Sequence, residues 1–247
     1  MAKLPLPVAA AAIEEAHRYG IRVLAHTFTL ADSKALIRAG VDGFAHPPWR
    51  EREPDEELVG LFEDHPDVFV LMTNWSARNR IYGPRPAWID EPLLRETFSD
   101  EQIALLERPE TPGSAPAEWR AGPVPRSVAK LEAAGVRFGL GSDVGGNSGG
   151  PYFGWSSHME MAIMVEAGLS PGEAIVAATR NSAEFLGAPE LGMVAPGRSA
   201  DFLVLDANPL DEIANTRTIS TVYLRGREVD RAGLMEKWRA ERSGAVP

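Results

Sequence analysis

The 247-residue chain contains no cysteine. Disulfides, thiolate zinc sites and cysteine nucleophiles are therefore excluded, and any bound metal must be held by nitrogen and oxygen. No apolar run approaches the ~20 residues that a helix needs to cross a bilayer. The apolar opening Ala9 to Ile13 runs straight into Glu14, Glu15 and Arg18, without the cationic start of a secretion signal. A cytoplasmic protein with no membrane partner is the expectation. Positive charge is also in short supply, with 25 basic against 35 acidic residues and a net charge of −10. That balance, with no basic stripe, argues against a nucleic-acid surface and for small or neutral partners. Only five histidines occur, so the position of each carries information.

What is present is a repeat. Ile21-Arg-Val-Leu-Ala-His26 and Val41-Asp-Gly-Phe-Ala-His46 are short apolar runs that each end on histidine, separated by a segment with a polar start, an apolar middle and a glycine stop at Gly40. The pattern reads as strand, helix, strand, with caps on the helix. Val136 to Asp143, ending in Gly-Ser-Asp, is a third strand that ends on a titratable side chain. In a parallel βα architecture the C-terminal strand ends share one rim, so two imidazoles and a carboxylate would face one cavity. Such a set is a plausible metal site.

The spacing predicts helices over 8–19, 31–39, 55–63, 124–134, 155–167, 171–179 and 182–186, and strands over 21–26, 41–46, 68–72 and 136–141. This regular alternation predicts a parallel sheet or barrel, since parallel neighbours need crossover helices. From Asn74 to about Pro125 the alternation breaks into a segment dense in proline and tryptophan, with one helix signal at Ser99-Asp-Glu-Gln. A long irregular insert on such a rim reads as a lid or pocket wall. After about residue 190 the texture turns β-rich, with an Arg-Gly-Arg turn at 225–227. Two domains are expected, 1–190 and 191–247.

A divalent ion on neutral imidazoles and a carboxylate can lower the pKa of bound water to about 7. Hydrolysis is the chemistry that follows. Asp143 can take the proton of that water while one of its oxygens stays on the metal. Asn74 and Trp75, after strand 68–72, and His158, at the start of a helix beyond the glycine loop, are substrate-binding candidates by position. Each has a structural alternative: a strand-end histidine can be an edge-of-core residue, and Asp143 can cap the loop it opens. His17, in the last turn of its helix, suits the helix dipole and reads as structural. His65, between Asp64 and Pro66, reads as solvated.

Ala16 to His26, Ala39 to His46, Gly139-Leu-Gly-Ser-Asp143, Glu166 to Pro171, Ala177 to Ala183, Gly192 to Asp206 and Val222 to Gly226 together resemble the amidohydrolase superfamily, in its imidazolonepropionase-like and prolidase-like branch. The resemblance implies a TIM-like (β/α)₈ barrel with a small β-sandwich built from both chain ends, and one or two divalent ions, zinc foremost. It implies that His26 and His46 are the ligands of the fifth and sixth barrel strands. Asp143 would be the aspartate of the eighth, which binds metal and shuttles protons. It implies an enzyme that cleaves amide-type C–N bonds in a cyclic amide or dipeptide-like substrate. The His-x-His of the first barrel strand is absent from this sequence, and Lys3 lacks the strand that a bridging lysine would need. The expected fold is accordingly the C-terminal half of the barrel, strands five to eight, plus a β-rich part of the composite sandwich. The first four strands would lie in a missing part of the same chain, a second polypeptide or a second copy. Alternatively the chain is a non-catalytic subunit or an inactive remnant.

Overall fold

The computed structural model describes residues 3–27, 29–47, 53–73, 87–107, 124–144 and 152–242. Within them, α1 (Leu6–Arg18), β1 (Leu24–Ala25), α2 (Leu30–Arg38), β2 (Gly43–Phe44), α3 (Glu56–Asp64) and β3 (Phe69–Met72) alternate as the hydrophobic pattern requires. The described part of the insert holds a 3₁₀ turn (Ala87–Asp90) followed by α4 (Pro92–Thr97) and α5 (Asp100–Leu106). Then come α6 (Val124–Ala133), β4 (Arg137–Leu140), α7 (Trp155–Glu166), α8 (Pro171–Val176), a π-helical turn at Ala177–Asn181 and α9 (Ser182–Leu186). The C-terminal part contains β5 (Phe202–Leu205), a 3₁₀ turn (Ile213–Arg217), β6 (Ile219–Leu224), β7 (Arg227–Glu228) and α10 (Arg231–Arg242).

Strands β1 to β4 form one sheet in the order β1-β2-β3-β4, every pair parallel. Helical crossovers between successive strands are what a parallel order demands. Phe44, Val70, Met72 and Phe138 point from this sheet into a core shared with Leu58, Phe62, Leu131 and Met164 of the helices. Two glycines make room for Phe69. A Cβ on Gly43 would lie 2.7 Å from the Phe69 carbonyl oxygen, and one on Gly139 would lie 2.3 Å from the Phe69 ring. The ring stacks on Phe185 at 4.6 Å between centroids.

Helix starts follow the capping chemistry of the sequence. Ser99 and Gln102 form a reciprocal capping box at α5, and Ser170 and Glu173 form one at α8, where Pro171 occupies the first turn. Strands 21–26 and 41–46 shrink to two residues each. The second sheet, β5-β6-β7, is antiparallel. Its β6–β7 hairpin turns at Arg225 and Gly226, both at positive φ, and the Asp201 carboxylate accepts from the Arg225 N–H at 2.6 Å. Among the described residues no helix is long and apolar enough to cross a membrane.

Candidate metal and catalytic site

Parallel order places the residues that follow β1, β2, β3 and β4 on one rim. These are His26, His46, Thr73 and the Gly141-Ser142-Asp143 turn. Because β1 and β2 are neighbours, the His26 and His46 rings meet edge to face, with centroids 4.5 Å apart. His26 is exposed while His46 is 8% exposed, so one imidazole faces solvent and the other the interior.

Thr73 Oγ1 lies 2.5 Å from His46 Nδ1 and 3.3 Å from the Ala45 carbonyl oxygen. The contact holds the His46 ring through Nδ1, as an outer hydrogen bond orients a metal-binding histidine. Sequence reasoning overlooked Thr73. Its signal was available, since it follows strand 68–72 as His26 and His46 follow theirs.

Beside the pair, Thr27 Oγ1 is buried with no hydrogen-bond partner among the described residues. An apolar groove of about 480 Å³ runs from Leu4, Leu6 and Leu24 to His26 and Thr27. Two adjacent imidazoles and a buried hydroxyl suit a divalent ion with a bound water.

Asp143 ends the other side of the rim. It is exposed and has φ 50°, one of two non-glycine residues at positive φ among the described residues. This left-handed conformation is uncommon outside glycine, although aspartate adopts it more readily than most. The structure does not gather Asp143 with the histidines: among the described residues no group of three His, Asp or Glu side chains is placed to hold one ion. Strand order gives the reason, since β3 separates β2 from β4. Two strand spacings amount to ~10 Å of backbone.

The remaining candidates fall elsewhere. Asn74 and Trp75 lie outside the described residues. His158, on the first turns of α7, meets Thr216 Oγ1 through Nδ1 at 3.0 Å. Burial, reinforced by the neighbouring Arg217 guanidinium and opposed by Glu91, lowers its pKa to about 4. It is neutral at pH 7. His17 pairs with Asp42 at 2.8 Å, in keeping with a structural role, and His65 caps α3 in an exposed position.

A parallel sheet with helical crossovers is an α/β arrangement of the TIM-like kind. Residues 6–229 match the model of the amidohydrolase family, and the chain belongs to that family. It is 38% identical over 105 residues to the imidazolonepropionase of Deinococcus deserti, a match covering 42% of this chain and 25% of that enzyme. It is 29% identical over 204 residues to the ochratoxinase of Aspergillus niger, covering 81% of this chain and 36% of the relative. The crystal structure of A. niger ochratoxinase superposes with TM-score 0.62 and 26% identity over 92% of this chain and 46% of that one. A Xaa-Pro dipeptidase with methionine in its active site shares the fold at TM-score 0.64 and 21% identity, over 92% of this chain and 49% of that one. In each case the chain spans less than half of the relative's length.

Proposed function

We propose that these residues form the C-terminal half of the barrel of a metal-dependent hydrolase acting on amide-type C–N bonds, in a cyclic amide or a dipeptide-like substrate. The observation that carries the reading is the 4.5 Å approach of His26 and His46 at the ends of adjacent parallel strands. Membership of the amidohydrolase family supports the reaction class. The names imidazolonepropionase and Xaa-Pro dipeptidase among similar proteins support the two substrate types.

A divalent ion, zinc foremost, would supply an acidified water at neutral pH. His26 and His46 would hold the ion, with Thr73 against the His46 ring. Asp143 would take a proton from the attacking water and give it to the departing nitrogen, which would otherwise leave as an unstable anion. Asn74 and Trp75 stay substrate-binding candidates by their sequence position after strand 68–72. Residues 1–190 form the barrel part and 191–247 the contribution to a composite sandwich.

The first four barrel strands would run from the β1 edge round to the β4 edge, supplied in cis, by a second polypeptide or by a second copy. Val23 and Ala25 carbonyls accept from Asp42 and Ala45 of the β2 side. Alternation along the ladder therefore turns the Leu24 peptide groups toward the open side. Leu24 is 40% exposed there, at the apolar groove. The same opening favours a second reading, a subunit that is catalytic only with such a partner.

Cobalt titration of the purified chain, paired with hydrolysis of N-acyl amino acids, dipeptides and cyclic amides, tests the reading. Expected are visible cobalt bands that vanish in His26→Ala and His46→Ala. Slow turnover is also expected, falling by about 10²–10⁴ in Asp143→Asn. Absence of cobalt bands, or turnover indifferent to Asp143→Asn, contradicts it.

A further inference from the structure

The insert leaves the C-terminal end of β3, and α7 is entered from the C-terminal end of β4, so both rise from the candidate rim. Where they meet, a second apolar cluster forms, separate from the main core: Ile89, Leu94, Phe98 and Ile103 of the insert against Tyr152, Trp155, Met159 and Ile163. Trp88 lies 5.9 Å from Trp155, and the Tyr152 hydroxyl donates to the Gln102 carbonyl at 3.0 Å. Apolar contact of this kind is tolerant of sliding, because it has no direction.

Besides the Tyr152 hydrogen bond, a charged contact at this joint is directional. Arg217 donates from Nε to Glu91 Oε2 at 2.6 Å and from its terminal nitrogen to Oε1 at 2.7 Å. Its guanidinium carbon sits 5.4 Å from the Trp155 ring centroid. The Arg217 side chain is 10% exposed and that of Glu91 32%. The adjacent Thr216 Oγ1 donates to the Ile213 carbonyl at 2.8 Å and therefore accepts from His158 Nδ1. Three segments far apart in sequence are thus tied at one point: the start of α4, the start of α7, and the turn that leads into β6.

We infer that Arg217 is a positioning residue: its two-pronged grip on Glu91, braced by Trp155, fixes the insert 87–107 as a wall of the rim and so sets substrate fit. A paired guanidinium and carboxylate specify direction as well as distance, which the apolar cluster beneath cannot. Arginine stays charged at every working pH, so the grip is constant rather than switched. A lysine, one point charge, would keep attraction and lose the geometry.

The consequence for substrate rests on the hydrolase reading above; the mechanical claim does not. Hydrogen exchange of the full chain, followed by peptide mass, reads the latter. Glu91→Gln and Arg217→Met are expected to speed amide exchange in 87–107 at least about tenfold while α2 and α3 stay unchanged. Arg217→Lys should fall between these and the unaltered protein. The double variant should exchange no faster than the faster single one, because both remove the same contact. Unchanged exchange in 87–107, or an equal rise in α2 and α3, overturns the inference. Glu91→Gln, at the more exposed end of the pair, keeps the test open should Arg217→Met not fold.

The second readout is kinetic. With turnover measurable, KM in Glu91→Gln should rise at least about tenfold with kcat within about twofold. A fall in kcat at constant KM overturns the positioning role. A chain with no turnover on any amide contradicts the hydrolase reading alone, and exchange then decides the role of Arg217.

Discussion

Along β4 the chain finishes its own sheet, whereas along β1 it does not. The Phe138 carbonyl accepts from Asn181 Nδ2 at 2.9 Å, and the Leu140 N–H donates to Ser182 Oγ at 3.1 Å. Both side chains come from the π-helical turn and the start of α9, and they occupy the hydrogen-bonding groups that face away from β3. On that same side the insert packs on α7 and is held by Arg217. At β1 the outward Leu24 peptide borders a groove with exposed Leu4 and Leu6. An edge blunted from within resists strand addition, and an open one invites it. A closed barrel needs a neighbouring strand at both edges, and of the two edges β4 is the one whose outward groups are met by side chains of the same chain.

The largest expected effect is a pH dependence that arises from His158 on the closed side. His158 has its pKa lowered from 6.5 to about 4, chiefly by burial. The unfolded chain therefore binds the proton more readily than the folded one. Stability should be full above pH 6.5 and fall on acidification toward pH 4, by on the order of 3 kcal/mol. Denaturant unfolding across that range should show the slope, and His158→Gln should flatten it. A slope that survives His158→Gln would place its origin in another group.

A pair of edge variants can break the contrast directly. Asn181→Ala strands the Phe138 carbonyl and should cost about 1–3 kcal/mol by urea unfolding. Leu24→Pro deletes a peptide N–H that faces the open side. Proline is tolerated at such an edge, so its cost should stay within about 1 kcal/mol. Equal losses from the two substitutions would mean that the β1 edge is already satisfied and the asymmetry fails.

Much of the scaffold is legible in the residues, because local signals and tertiary needs agree. Ser170 with Glu173 announces a helix start, and Gly40 and Gly187 announce stops, each at positive φ. His26 and His46 stand out because alternation fixes which strand ends share a rim. The lengths of β1 and β2 were not legible: the runs 21–26 and 41–46 are alike and largely apolar, yet pairing holds only Leu24–Ala25 and Gly43–Phe44 extended. Nor was the Arg217–Glu91 contact, since its partners lie 126 positions apart and neither belongs to a motif. His158 looked like a candidate for the pocket by its place after the glycine loop. Its Nδ1 meets Thr216 because α7 turns that face toward the 3₁₀ turn Ile213–Arg217.

Anomalous diffraction from a crystal of the zinc-loaded chain tests the central claim most directly. Expected is one peak at the rim within ~2.0–2.2 Å of a ring nitrogen of His26 and a ring nitrogen of His46. A zinc peak bound away from both histidines would contradict it.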